Sequence, residues 1–196
     1  MRIRHPERGD TLIEVILAGA VLAMVTVSTF SIMQRGASSA YDALERSQVR
    51  LELNRQSELL QYFRDSYTKS TISQTPIVAN SPAANWQTIV DNGGGGGPYV
   101  AVTTPSISTC TPSPQAFFIK FDTASLRYMV YPETSYTVPS GLPSAGDGIW
   151  IEQVNPPGFN GINRKFHDFY VLACWETTTA SQQTLSTIVR LYDPSQ

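Results

Sequence analysis

The stretch TLIEVILAGAVLAMVTVSTFSIM, residues 11–33, decides how the rest of the chain is read. It runs for about 23 residues with one charge, Glu14, where a bilayer span needs about 20 apolar residues. It contains no proline and one glycine, Gly19, so the composition predicts a continuous helix that spans a membrane. In front of it lies MRIRHPERG, with Arg2, Arg4 and Arg8 against Glu7. A short basic stretch before an apolar segment keeps the N-terminus cytoplasmic and exports the chain beyond the span. Arg35, Arg46 and Arg50 on the far side weaken that bias.

An ordinary secretory signal fits this region poorly, because its apolar core is shorter and ends in a small-residue cleavage site. Ala37, Ser38, Ser39 and Ala40 imitate such a site only weakly. Glu14 is harder to set aside. A carboxylate inside a spanning helix is costly and marks a function with a partner. Interfacial snorkelling of Glu14 is the bland alternative.

The run Arg8-Gly9-Asp10-Thr11-Leu12-Ile13-Glu14-Val15 resembles the prepilin cleavage and methylation signal of type IV pilins and type II secretion pseudopilins. The match covers roughly residues 1–35. In that family an aspartyl prepilin peptidase cuts after the glycine and methylates the new N-terminus. The resemblance therefore implies cleavage between Gly9 and Asp10, leaving 196 - 9 = 187 residues. It makes Glu14 the assembly residue, whose carboxylate neutralises the N-terminal ammonium of a neighbouring subunit. One position departs from the pattern: the mature chain begins with Asp10 rather than an apolar residue. Its carboxylate lies beside the new ammonium and competes with Glu14 for it.

Beyond the span, no proline interrupts the chain between Pro6 and Pro76. Leu44, Leu51, Leu59, Tyr62 and Phe63 recur at roughly helical spacing with charges between them. A helix from Thr11 to about Ser70 is expected, ~60 residues and on the order of 90 Å long. Its second half is expected to turn an apolar stripe to a sheet. From Thr71 to Pro114 the chain is rich in Pro, Gly, Ser and Asn and reads as loop, with local order around Trp86 and 99–102. The glycine run Gly93 to Gly97 lacks the Lys-Ser/Thr of a phosphate loop.

Strand signals take over past residue 115. AFFIKF (116–121) and LRYMVY (126–131) flank Asp122 to Ser125 and predict a hairpin. IWIEQV (149–154), FYVLACW (169–175) and LSTIVRLY (185–192) predict three more strands. The expected fold class is α+β, a long N-terminal helix on an antiparallel sheet, which is also pilin-like. The expected segments are a leader (1–9), a transmembrane helix (10–34), its amphipathic continuation (35–72) and a β-rich head (73–196).

Chemistry is sparse. The formal net charge of -2 and the 15% of charged residues show no basic patch for nucleic acid. After the leader the one histidine is His167, next to Asp168, which reads as a surface residue. Asp147, Glu152, Asp168 and Glu176 show no paired-carboxylate or metal spacing. Trp and Tyr fall mostly in strands, where core packing explains them. No enzyme, cofactor or metal is expected. Exported context and an even cysteine count predict one disulfide, Cys110–Cys174. The leading expectation is a structural subunit, a minor pilin rather than a major one, with a prepilin peptidase and other pilins as partners. It would sit as a single-pass protein in the cytoplasmic membrane and then in an extracellular filament for adhesion, motility or DNA uptake. A pseudopilin of a type II secretion-like system shares the signal. An adhesive module displaying loops 76–114 and 132–165 is another reading, and a membrane-anchored enzyme the weakest.

Overall fold

The computed structural model describes residues 10–90, 101–107, 110–132, 148–154, 166–176 and 182–192. The chain is α+β and divides into two units, Met1–Arg46 and Ser47–Gln196. Helix α1 (Asp10–Ile72) is 63 residues long and contributes to both. Straight-chain and small residues dominate it, and no proline breaks it. In the first unit it is the described structure. The second unit is a head in which the last part of α1 packs on a sheet.

The strands are β1 (Phe117–Asp122), β2 (Arg127–Pro132), β3 (Ile149–Val154), β4 (Phe166–Glu176) and β5 (Gln182–Tyr192). Among the described residues they form one antiparallel sheet in the order β2-β1-β3-β4-β5. Each strand falls within three residues of the boundaries read from the sequence. The β1–β2 hairpin closes through Asp122, whose carboxylate accepts from the Ala124 and Ser125 amides at 3.3 and 3.0 Å.

Side chains alternate across the sheet and define two faces. On the inner face Phe117, Ile151, Phe169 and Val171 meet Leu53, Leu60 and Phe63 of α1 in the main core. Phe63, Phe117 and Phe169 are fully buried, each stabilising the head by about 1.5–3 kcal/mol through area removed from water. The stripe on α1 differs from the expected one. Leu44, Leu51 and Tyr62 are exposed, and the buried positions are Leu53, Gln56, Leu59, Leu60 and Phe63. A one-residue change of helical phase turns a side chain by about 100°, so spacing alone misassigned three of the five expected positions.

A second helix, α2 (Pro82–Val90), occupies part of the region read as loop. Ser81 caps it: its Oγ accepts from the Ala84 amide at 3.1 Å, and Pro82 starts the first turn. Trp86 and Ile89 of α2 are fully buried in the main core. Asn85, also buried, donates to the Tyr128 carbonyl at 2.9 Å and so ties α2 to β2.

Strand β1 meets β3 only at Phe117 and Ile151. Beyond that pair, Gln56 of α1 supplies the missing partner. Its Oε1 accepts from the Ile119 amide at 3.0 Å, and its Nε2 donates to the Ile119 carbonyl at 2.9 Å. A buried backbone pair left without partners is costly, so this one amide side chain completes the ladder.

The outer face of β3 and β4 carries Trp150, Leu172 and Cys174, which cluster with Ala116 and Cys110 of the preceding segment. That segment is stitched to β3 by the Val102 amide, which donates to the Gln153 carbonyl at 2.8 Å. Cys110 is bonded to Cys174, with Cα atoms 5.7 Å apart and a sequence separation of 64. The expected disulfide is therefore present.

Candidate functional site

Two places invite chemistry: the opening of α1 and the few ionisable groups of the head. Gly9 lies outside the described residues, and Asp10 opens α1. Glu14 stands in the second turn, exposed. Around and beyond it, Leu12, Ile13, Val15, Ile16, Leu17 and the other large apolar residues to Met33 are 54–73% exposed. The most apolar window of this helix has a mean hydropathy of 2.2, and none of it is buried. It is long and apolar enough to cross a membrane. Three of its hydroxyl side chains bond back to the helix. Thr26, Ser28 and Thr29 donate to the carbonyls of Leu22, Met24 and Val25, four residues back, at 2.7, 2.8 and 2.7 Å. Glu14 is the one charge that this segment cannot satisfy within its own helix turns by such bonds.

In the head, His167 is buried rather than on the surface. Its ring meets Trp86 edge-on at 6.0 Å, and its Nδ1 accepts from Gln153 Nε2 at 2.8 Å. It pairs with Leu191, two register positions from the Phe169–Val189 pair, and Trp86 of α2 packs against it. A lone histidine in a strand carries no sequence mark of which face it takes. Asp168 points to the other face, as neighbouring strand residues must. There it receives Arg190 from β5 in a two-pronged contact, Nε–Oδ1 at 2.6 Å and a second nitrogen to Oδ2 at 2.7 Å. That hydrogen bond to Asp168 raises the Arg190 guanidinium above its ordinary pKa. The same guanidinium lies 4.4 Å over the Phe166 ring. Asp168 and His167 therefore take part in separate structural contacts on opposite faces of the sheet.

Glu152 is also buried, and its partners are two serines and a tryptophan from the outer face. Glu176 ends β4 exposed, and Asp147 lies outside the described residues. Among the described residues no three of His, Cys, Asp and Glu gather in a set able to hold a metal ion. The glycine run and much of the loops 76–114 and 132–165 also lie outside the described residues.

Comparison with known proteins finds no family model, no curated protein and no solved structure that matches.

Proposed function

We propose that this chain is a type IV pilin-like structural subunit, in the class of minor pilins, processed by a prepilin peptidase and assembled into an extracellular filament. The observation that carries the proposal is a glycine five residues ahead of Glu14, at the opening of an unburied apolar helix. Cleavage after Gly9 creates an α-ammonium on Asp10, at the start of that helix. Before assembly the segment spans the cytoplasmic membrane once, with the head exported. The Cys110–Cys174 bond supports an oxidising compartment for the head.

Assembly then has an electrostatic logic. A carboxylate in lipid costs about 2.5–3.5 kcal/mol on insertion scales, and an ammonium a similar amount. Placing the Glu14 carboxylate of one subunit against the Asp10 ammonium of the next lowers the cost of both and fixes their axial stagger. The apolar side chains left exposed on residues 12–33 pack against those of neighbouring subunits. The head contributes display rather than catalysis, with Glu152, His167, Asp168 and Arg190 engaged in structural contacts.

Glu14→Gln tests this. The variant should be cleaved and inserted as well as the wild type, since removing a charge eases insertion. Its content in sheared filaments should fall by orders of magnitude, because breaking such a pair from one side costs about 3–5 kcal/mol. Asp10→Phe combined with Glu14→Gln should lose more, since the Asp10 carboxylate partly compensates in the single variant. Equal incorporation of all three chains would end the proposal.

A further inference from the structure

Glu152 sits in the middle of β3 at 1% exposure, on the outer face of the sheet. A buried carboxylate is tolerable only with a full set of donors. It has four: the Ser106 amide at 2.9 Å, the Ser106 hydroxyl, the Ser113 amide at 2.9 Å and Trp150 Nε1 at 3.2 Å. Trp150 belongs to the same strand, but Ser106 and Ser113 lie 46 and 39 residues away in sequence. They also bracket Cys110. One carboxylate therefore gathers the chain from both sides of that cysteine and holds it over β3 and β4.

The backbone of Cys110 points the same way. Its φ of 48° is in the left-handed region, which a residue with a Cβ does not adopt by local preference. Something outside the local chain must hold it. The disulfide is one such restraint, and the Glu152 cradle is another that requires no covalent bond.

We propose that Glu152 is the positioning residue for the disulfide: it docks residues 102–107 and 110–113 on β3 while Cys110 and Cys174 are still thiols. Oxidation then locks a geometry already formed, and reduction leaves the segment in place. With a small-molecule disulfide such as oxidised glutathione, one protein thiolate attacks it and releases one glutathione thiolate. The second protein thiolate attacks the protein sulfur of that mixed disulfide, forms Cys110–Cys174 and releases the second glutathione. The protein pair loses two electrons and two protons, and the glutathione disulfide gains them. Preassembly raises the effective concentration of one cysteine at the other, which the equilibrium with glutathione measures directly.

The experiment uses the full chain in detergent micelles. In the reduced wild type, amide exchange at Ser106 and Ser113 should stay protected as in the oxidised protein. Exchange at unstructured rates after reduction would overturn the proposal, because the disulfide alone would then hold the segment. Equilibration with reduced and oxidised glutathione gives the second reading. Glu152→Gln should lower the effective concentration at least about tenfold, the scale of one charge-assisted hydrogen bond. Ser106→Ala, which removes a single hydroxyl and keeps the amide, should move it the same way by less. It carries the test if Glu152→Gln does not fold. Val171→Ala, on the inner face and away from the cradle, should leave it unchanged. Wild-type values for Glu152→Gln and Ser106→Ala, or an equal shift for Val171→Ala, would overturn the assignment.

Discussion

Residues 12–33 and residues 49–67 lie on one α-helix, and both stretches are rich in large apolar side chains. In the first stretch those side chains are 54–73% exposed, whereas Leu53, Leu60 and Phe63 in the second are 0–2% exposed. The difference lies in their arrangement. Residues 12–33 are apolar on every side of the helix, so no single sheet could cover them. Residues 49–67 interleave Arg50, Glu52, Arg55 and Glu58 with one apolar stripe, which fits one partner surface. One helix thus carries a stretch apolar on every side, long enough to cross a membrane, and a stretch patterned for one packed surface.

Truncations should separate the two stretches most sharply. Phe63→Ala should destabilise the head by about 3–5 kcal/mol in urea unfolding, the cost of a large cavity in a packed core. Phe30→Ala should leave the same transition within about 0.5 kcal/mol. A comparable loss from Phe30→Ala would mean that the apolar segment supports the head, and the contrast would fail.

Gln56 is the polar exception within the buried stripe. Gln56→Leu keeps the volume but strands the amide and carbonyl of Ile119, an expected cost of about 2–4 kcal/mol. Amide exchange at Ile119 should quicken before that at Val171. A neutral effect would show that the stripe needs only apolar contact. Ser81→Ala should cost about 1 kcal/mol by uncapping α2, read as a lower midpoint with an unchanged slope.

The smallest effect concerns pH. Hydrogen bonds from Ser125, first through its side chain and then its backbone, and from the Ala124 amide hold the Asp122 carboxyl below its usual pKa. Its contribution is therefore present above the ordinary carboxylate range and is lost as pH falls through the lowered value. Asp122→Asn should flatten the acid limb of hairpin amide protection by lowering the protection at neutral pH towards its acid value.

Much of this fold was legible where a strong period met a strong boundary. The long apolar start of α1, the β1–β2 hairpin and the strand IWIEQV were read from runs of apolar residues, the strands closed by turn residues. Helix α2 was not, because nine residues behind a Ser-Pro start, in a Pro- and Gly-rich stretch, give too little period to see. Ser81 followed by Pro82 was the signal that was present. His167, Gln56 and Glu152 escaped for a different reason. Their roles rest on partners brought close only by the fold, 63 residues away for Gln56 and 39–46 for Glu152. A polar residue in an otherwise apolar strand, as in IWIEQV, is the one local hint that such a partner exists.

If the apolar half of α1 opens a processed subunit, the mass of the mature chain must show it. The chain, extracted from membranes of cells that carry a prepilin peptidase, should have lost its first nine residues and begin at Asp10. Gly9→Val should remain uncut. A wild-type chain that keeps its leader, or one that begins near Ala40 as an ordinary signal peptidase would leave it, would be incompatible with a pilin-like subunit.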